Sequence, residues 1–202
     1  MSIANGYATL ADAKAWLGIS DTSDDPVIED TIEAVSRQID GHTGRRFWVD
    51  ATNVTRLFTA TQVDVLYTPD LATVASIMTD TGADRTFETT WATTDYDLFP
   101  EGGIVNGETG WPTTMVRARV DKTQRFPTIS QGVQIVGKWG WLNIPDPVKQ
   151  ACLIAAARIF RRKDAPFGVA GVVDTGVFRV PRLDPDVQAL LVPYVLLSRS
   201  IG

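Results

Sequence analysis

Apolar positions recur along this chain with two different periods, and the change of period divides it. Leu10, Ala13, Trp16 and Leu17 fall on one face of a short helix. Thr9 followed by Asp12 is a variant of the capping box, and Gly18 is placed to stop the helix. After the polar stretch DTSDD, Asp25 and Pro26 open a second helix. Ile28, Ile32, Val35 and Ile39 follow at spacings of four, three and four. Its other face carries Glu29, Asp30, Glu33 and Arg37, and Gly41, Thr43 and Gly44 end it.

From about Val49 to Trp141 the helical period disappears. Thr55 to Thr61, Val63 to Tyr67, Val74 to Met78, Met115 to Val120 and Val133 to Trp139 each read as strands by alternation or β-branching, separated by TG, GG and NG turns. The helical pattern then returns. Asp146 is a candidate cap, Pro147 suits the first helical turn, and Ala151 to Ala157 is apolar without a break. A helix apolar nearly all round must be packed on several sides. Arg161, Arg162 and Lys163 close it with cations, where the helix dipole favours them. The glycine- and proline-containing stretch from Pro166 to Arg182 reads as a loop. Asp184 and Pro185 open a last helix with Val187, Leu190 and Leu191, which Pro193 breaks or kinks.

These patterns predict an α+β protein: a helical core of about four helices, with a β-rich, sandwich or barrel-like insertion between helices two and three. The expected domains are 1–48 together with 142–202, helical, and 49–141, β-rich. A chain of 202 residues is long enough to bury a substantial core.

Composition then narrows the function. A net charge of -5 argues against a protein that grips phosphate backbones over its whole surface, because that affinity comes from clustered Lys and Arg. The single cysteine, Cys152, forms no internal disulfide and suits the cytoplasm. MSIANGYATL lacks the pattern of a signal peptide, and Ala189 to Leu197 falls short of the roughly 18 residues of a membrane span. A soluble protein with no membrane partner is expected.

Candidate chemistry is sparse. The one histidine, His42, stands near Asp40 at a helix end, but neighbours two apart face different ways. Cys152 lies among apolar residues that give no reason for a lowered pKa. One His and one Cys do not make a zinc site. Asp21, Asp24 and Asp25 lack the ligand spacing of a calcium loop. Neither Glu101 to Gly103 nor Gly168 to Gly171 has the Lys-Ser/Thr ending of a phosphate loop. The expectation is no enzyme, no cofactor and no metal. Trp91, Trp111, Trp139 and Trp141 suit either a core or, in a different reading, the platforms of a β-sandwich glycan-binding module, with burial the favoured outcome.

Charge is distributed unevenly. Residues 1–44 hold eight acids and two bases, whereas residues 145–202 hold eight bases and five acids. Such polarity suits a head-to-tail contact between copies, though a solvated acidic face explains it equally well. An interface would draw on Glu29, Asp30 and Glu33 against Arg158, Arg161, Arg162 and Lys163, with Phe167 and Val169 from the adjoining loop.

Three stretches carry a family resemblance: TLADAKAWLGISDTSDDPVIEDTIEAVSRQIDGHTGRRF, WGWLNIPDPVKQACLIAAARIFRRKDAPFGVAG and LDPDVQALLVPYVLL. Together they resemble the head-tail connector (adaptor) proteins of long-tailed bacteriophages. The resemblance implies a structural virion protein of the neck, assembled in the host cytoplasm. It implies a ring, generally twelvefold, that joins the portal protein to a stopper or tail protein, with DNA only as passing cargo. It places a portal-docking segment at the C-terminal end, with Leu190, Leu191, Pro193, Tyr194, Leu196, Leu197, Arg199 and Ile201 as anchors. Apolar side chains after a helix-breaking proline need cover, which a partner groove supplies. A neck stopper or tail-completion protein is the alternative in the same setting. The shortest members of the family lack so large a β-region, which leaves its role open.

Overall fold

In the computed structural model, residues 3–162 and 184–196 are described. The chain forms two compact units, one from Met1–Arg45 with Ile144–Gly202 and one from Arg46–Asn143.

The first unit holds α1 (Leu10–Leu17), α2 (Asp25–Thr43), α3 (Asp146–Arg161) and α4 (Pro185–Leu191). Local chemistry sets their ends. The Thr9 hydroxyl accepts from the Asp12 amide while the Asp12 carboxylate accepts from the Thr9 amide, and Gly18 stops α1 in the left-handed region at φ 73°. The bonds from Thr9, with Lys149, hold the Asp12 carboxyl below its ordinary pKa. Gly44, at φ 69°, ends α2 with its amide donating to the Asp40 carbonyl. The cap expected from Asp146 is absent: Pro145 is the cap residue and makes no side-chain bond, and Asp146 is the first helical residue.

Ile28, Ile32, Val35 and Ile39 are fully buried, and α2, which carries them, packs against α3, the helix that also meets α1 and α4. Val148, Ala151, Cys152, Leu153, Ala156, Ala157 and Phe160 form the buried side of α3. Ile154, Ala155 and Ile159 are half-buried, so the helix is enclosed over a wide arc. Ion pairs staple the margins: Lys149 to Asp12 at 2.9 Å and Arg158 to Asp184 at 2.8 Å. A short N-terminal strap lies along α2. The Ala4 amide donates to Glu33, the Tyr7 amide to the Ser36 hydroxyl at 3.0 Å, the Tyr7 hydroxyl to Asp40, and the Arg37 guanidinium to the Asn5 carbonyl at 3.0 Å.

The second unit holds β1 (Val54–Phe58), β2 (Val65–Thr79), β3 (Thr89–Thr90), β4 (Tyr96–Phe99), β5 (Thr113–Ala118) and β6 (Val133–Trp139). They form one antiparallel sheet, in the order β1-β6-β2-β5-β4 with β3 paired to β2, and not the two sheets of a sandwich. The reason is the length of β2. Its first part pairs with β5, its second part pairs with β6, and register shifts near Leu71 and Val74 carry it from one to the other. The two short strands expected at 63–67 and 74–78 are thus parts of one. The core under this sheet contains Leu66, Leu71, Ile77, Trp91, Val116, Phe126, Val133, Ile135 and Trp139.

Candidate interaction surfaces

The two residues that chemistry would recruit first are differently placed. His42 is exposed in the last turn of α2, and its neighbour Asp40 is engaged by the Tyr7 hydroxyl and by Arg37 at 3.2 Å. Cys152 is wholly buried with its Sγ 3.7 Å from the Ser36 hydroxyl, and burial above all pushes its thiol up to about 11. At pH 8 that leaves on the order of one thiolate in a thousand. Iodoacetamide at pH 8 is therefore expected to leave Cys152 unmodified in the folded protein and to alkylate it in denaturant. Fast alkylation of the native chain, read by mass spectrometry, would contradict this burial.

The tryptophans follow the burial reading. Trp91, Trp139 and Trp141 are at most 4% exposed. Trp91 stacks on Phe126 at 4.5 Å, the Trp139 indole donates to the Val54 carbonyl at 2.9 Å, and the Trp141 indole donates to Asp70 at 2.9 Å. Trp111 is half-buried, its ring 5.0 Å from that of Trp141. Burial takes Trp91, Trp139 and Trp141 out of a glycan platform, and Trp111 alone of the four is half-buried. Trp16, assigned by its spacing to the inner face of α1, is 46% exposed, while Ala13 takes the buried position.

Asp21, Asp24 and Asp25 do not converge: Asp25 pairs with Lys14 at 2.6 Å, and Asp21 accepts from the Ser23 amide. Among the described residues one group of three carboxylates does approach within 4.8 Å, Asp80, Asp84 and Glu88, which no sequence spacing had marked. Asp80 is buried and accepts the Ala83 and Arg85 amides at 2.7 and 2.9 Å. Its carboxylate closes a loop.

The interface residues expected from charge are partly used within the chain. Glu33 holds the strap, and Arg158 holds the start of α4 through Asp184. Glu29 is half-buried, and Asp30, Arg161 and Arg162 are exposed. Lys163, Phe167 and Val169 lie outside the described residues, as does the loop expected at 166–182.

The C-terminal anchors divide similarly. Leu191 and Tyr194 are 0% and 2% exposed, so both belong to the core of the helical unit and are corrected as docking anchors. The Tyr194 carbonyl accepts from Arg45 at 2.9 Å, and the Leu196 amide donates to the Thr43 carbonyl at 2.8 Å. These bonds tie the segment beside the end of α2. Leu190 is half-buried and Pro193 exposed. Leu196 is 45% exposed, and Val192, which the sequence reading passed over, is 66% exposed. Leu197, Arg199 and Ile201 lie outside the described residues. Among the described residues, no helix is long and apolar enough to cross a membrane.

The helical unit thus carries exposed apolar side chains, Trp16, Val27, Val192 and Leu196, that a protein working in an assembly can present to other chains. The comparisons with known proteins agree with this reading. Residues 7–74 match the family model described as phage gp6-like head-tail connector protein. The match begins in the N-terminal strap and ends within β2. No curated protein matches the chain. Among solved structures, a chain in the "Neck of empty GTA particle computed with C6 symmetry" is 16% identical with a TM-score of 0.57. One in the "Neck of native GTA particle computed with C12 symmetry" is 18% identical with a TM-score of 0.56. A third, from the "Virion of native gene transfer agent (GTA) particle", is 17% identical with a TM-score of 0.54. Each alignment covers 100% of this chain and 96% of the other. The shared fold therefore includes the β-sheet unit as well as the helices.

Proposed function

We propose that this chain is a structural subunit of a virion neck, an adaptor whose copies form a ring between the portal and the next neck or tail protein. The observation that carries the reading is the connector-family match over residues 7–74, joined to the likeness of the whole chain to neck chains of a gene transfer agent. The C6 and C12 symmetries of those necks suit a ring of six or twelve copies. The acidic balance supports passage of DNA, since a lumen rich in Lys and Arg would retard phosphates.

The portal-facing segment is proposed to be the C-terminal end: Val192, Pro193 and Leu196, which are exposed, together with Leu197, Arg199 and Ile201, which lie outside the described residues. Its bonds to Thr43 and Arg45 aim it from the end of α2. A cut after Val192 would remove the buried Tyr194 and so damage the fold; a cut after Leu196 spares it. Deleting residues 197–202 is expected to leave the melting temperature unchanged and to weaken binding to the portal protein of the same virion at least tenfold. The measurement is a binding titration, with electron microscopy of the mixture to locate the bound chain. Undiminished docking by the shortened chain would refute the anchor. A full-length chain that ignores portals but binds the tail side of a separate adaptor ring would mark a stopper instead.

A further inference from the structure

We propose that the β-sheet continues from one copy of this chain to the next, with β1 of one copy lying in parallel beside β4 of its neighbour. The proposal rests on the reading of the chain as a ring subunit, and it names a contact that builds the ring.

Alternate residues of an antiparallel strand turn their N–H and C=O groups to opposite edges. The Asp80 amide donates to the Gly132 carbonyl at 2.9 Å, so Gln134 and Val136 bond β2, while Val133, Ile135 and Gly137 bond β1. Their partners there are Phe58, Arg56 and Val54. Thr55 and Leu57 therefore turn their backbone groups outward; both residues are exposed, and no hydrogen bond among the described residues meets those groups. At the other end of the sheet the Arg119 amide donates to the Asp95 carbonyl at 2.9 Å, which sets Asp97 and Phe99 toward β5 and Tyr96 and Leu98 outward. Their outward groups, too, meet no partner among the described residues. Natural proteins blunt an open edge with Lys, Pro or a charge set against pairing. In β1 the one charge is Arg56, and its guanidinium lies over the Trp139 ring at 4.4 Å. The edge is left fit for a further strand.

The topology selects which strand. Each strand on the path from β1 to β4 is antiparallel to the next, and there are five, so the two edge strands run the same way. Copies in a ring are related by rotation about one axis, so a sheet that passes between them keeps its direction and its face. Its edges then meet in parallel. Pairing β1 with β1 would close a dimer and leave β4 open. In a parallel pair a residue with outward groups stands opposite one whose groups turn inward, and bonds both neighbours of that residue. Thr55 opposite Asp97 satisfies this, its N–H donating to the Tyr96 carbonyl and its C=O accepting from the Leu98 amide. The faces agree as well. Phe58, Tyr96 and Leu98 pack with the core under the sheet, so Thr55, Leu57, Asp97 and Phe99 share the opposite face. This register sets Leu57, 42% exposed, beside the half-buried Phe99, and sets the Thr55 hydroxyl beside Asp97, whose own-chain partner Arg119 stands 3.7 Å away. A slip of two residues would put Leu57 against that carboxylate.

Full-length chains carrying Thr55→Cys, Asp97→Cys or both, oxidised at about 1 mM to capture weak association, test the register; Cys152 is wholly buried. On a non-reducing gel the double variant is expected to give a ladder of covalent multiples, an equal mixture of the single variants a dimer and nothing larger, and each single variant alone a monomer. Leu57→Pro removes an outward N–H that its own sheet does not use, so added to the double variant it should melt within about 2 °C of its parent and cut the ladder at least tenfold. Where it melts lower, the mixture of single variants decides. Absence of the mixed dimer, a ladder indifferent to a stable Leu57→Pro, or Thr55→Cys alone cross-linking as well as the mixture, the mark of β1 on β1, overturns the proposal. Portal binding by the full chain, measured in its own titration, judges the adaptor reading separately.

Discussion

Ala156→Asp is expected to unfold the helical unit. Ala156 is 4% exposed on the buried side of α3, the helix against which α1, α2 and α4 all pack. Among its buried neighbours on that helix are Cys152, Leu153 and Phe160, which offer no cation to a new carboxylate. Burying an unpaired carboxylate costs at least several kcal/mol, against about 5–15 kcal/mol for the whole stability of a domain. The group will ionise only by opening the packing to water. Circular dichroism should show loss of helix, or the variant should fail to accumulate as soluble protein. A soluble Ala156→Asp chain melting within about 2 °C of wild type would mean that this face of α3 is not a core.

Gly140→Ala should have a comparable effect on the β-sheet unit, for a backbone reason. Gly140 sits at φ 103°, a conformation that side chains rarely adopt, directly after the last strand. An added Cβ would overlap the Trp48 carbonyl oxygen, a backbone atom that cannot rotate away. Gly140 is also pinned from its other side, its amide donating to the Asp70 carbonyl at 2.8 Å. Strain and overlap together should cost about 3 kcal/mol or more. Gly107 provides the contrast: it lies at φ 84° in the turn after Asn106, and a Cβ there meets nothing within 4 Å. Gly107→Ala should therefore cost only the left-handed strain, about 1 kcal/mol. Thermal unfolding of both variants measures the difference, and equal losses would remove the steric account of Gly140.

The fate of the interaction residues separates what is local from what is not. Apolar spacing placed Trp16 in the core, but α1 is only eight residues long and Ala13 takes the buried position. In so short a helix a side chain beside the apolar stripe reads the same in sequence whether a neighbour covers it or not. The same ambiguity holds at the C-terminal end. Leu191, Val192 and Leu196 are alike in hydropathy, yet the first is buried and the other two are exposed, while the amphipathic Tyr194 between them is buried. Glu33 and Arg158 read as free charges, and each is bound by a segment distant in sequence, the strap at Ala4 and the cap of α4 at Asp184.

Sequence alone determined the elements whose causes lie within a few residues. The capping box at Thr9, the glycine stops at Gly18 and Gly44, the buried stripe of α2, the all-apolar arc of α3 and the alternation of β6 are all set by contacts three or four residues apart or by the two-residue repeat of a strand. It also carried the resemblance to head-tail connectors, because the helical ends hold that pattern. Tertiary structure alone decided that the β-region is a single sheet, that β2 is continuous through Pro69 and Asp70, and which apolar and charged side chains remain for a partner. Strand pairing and burial depend on residues brought together from far along the chain, so no window of neighbouring residues contains the information that settles them.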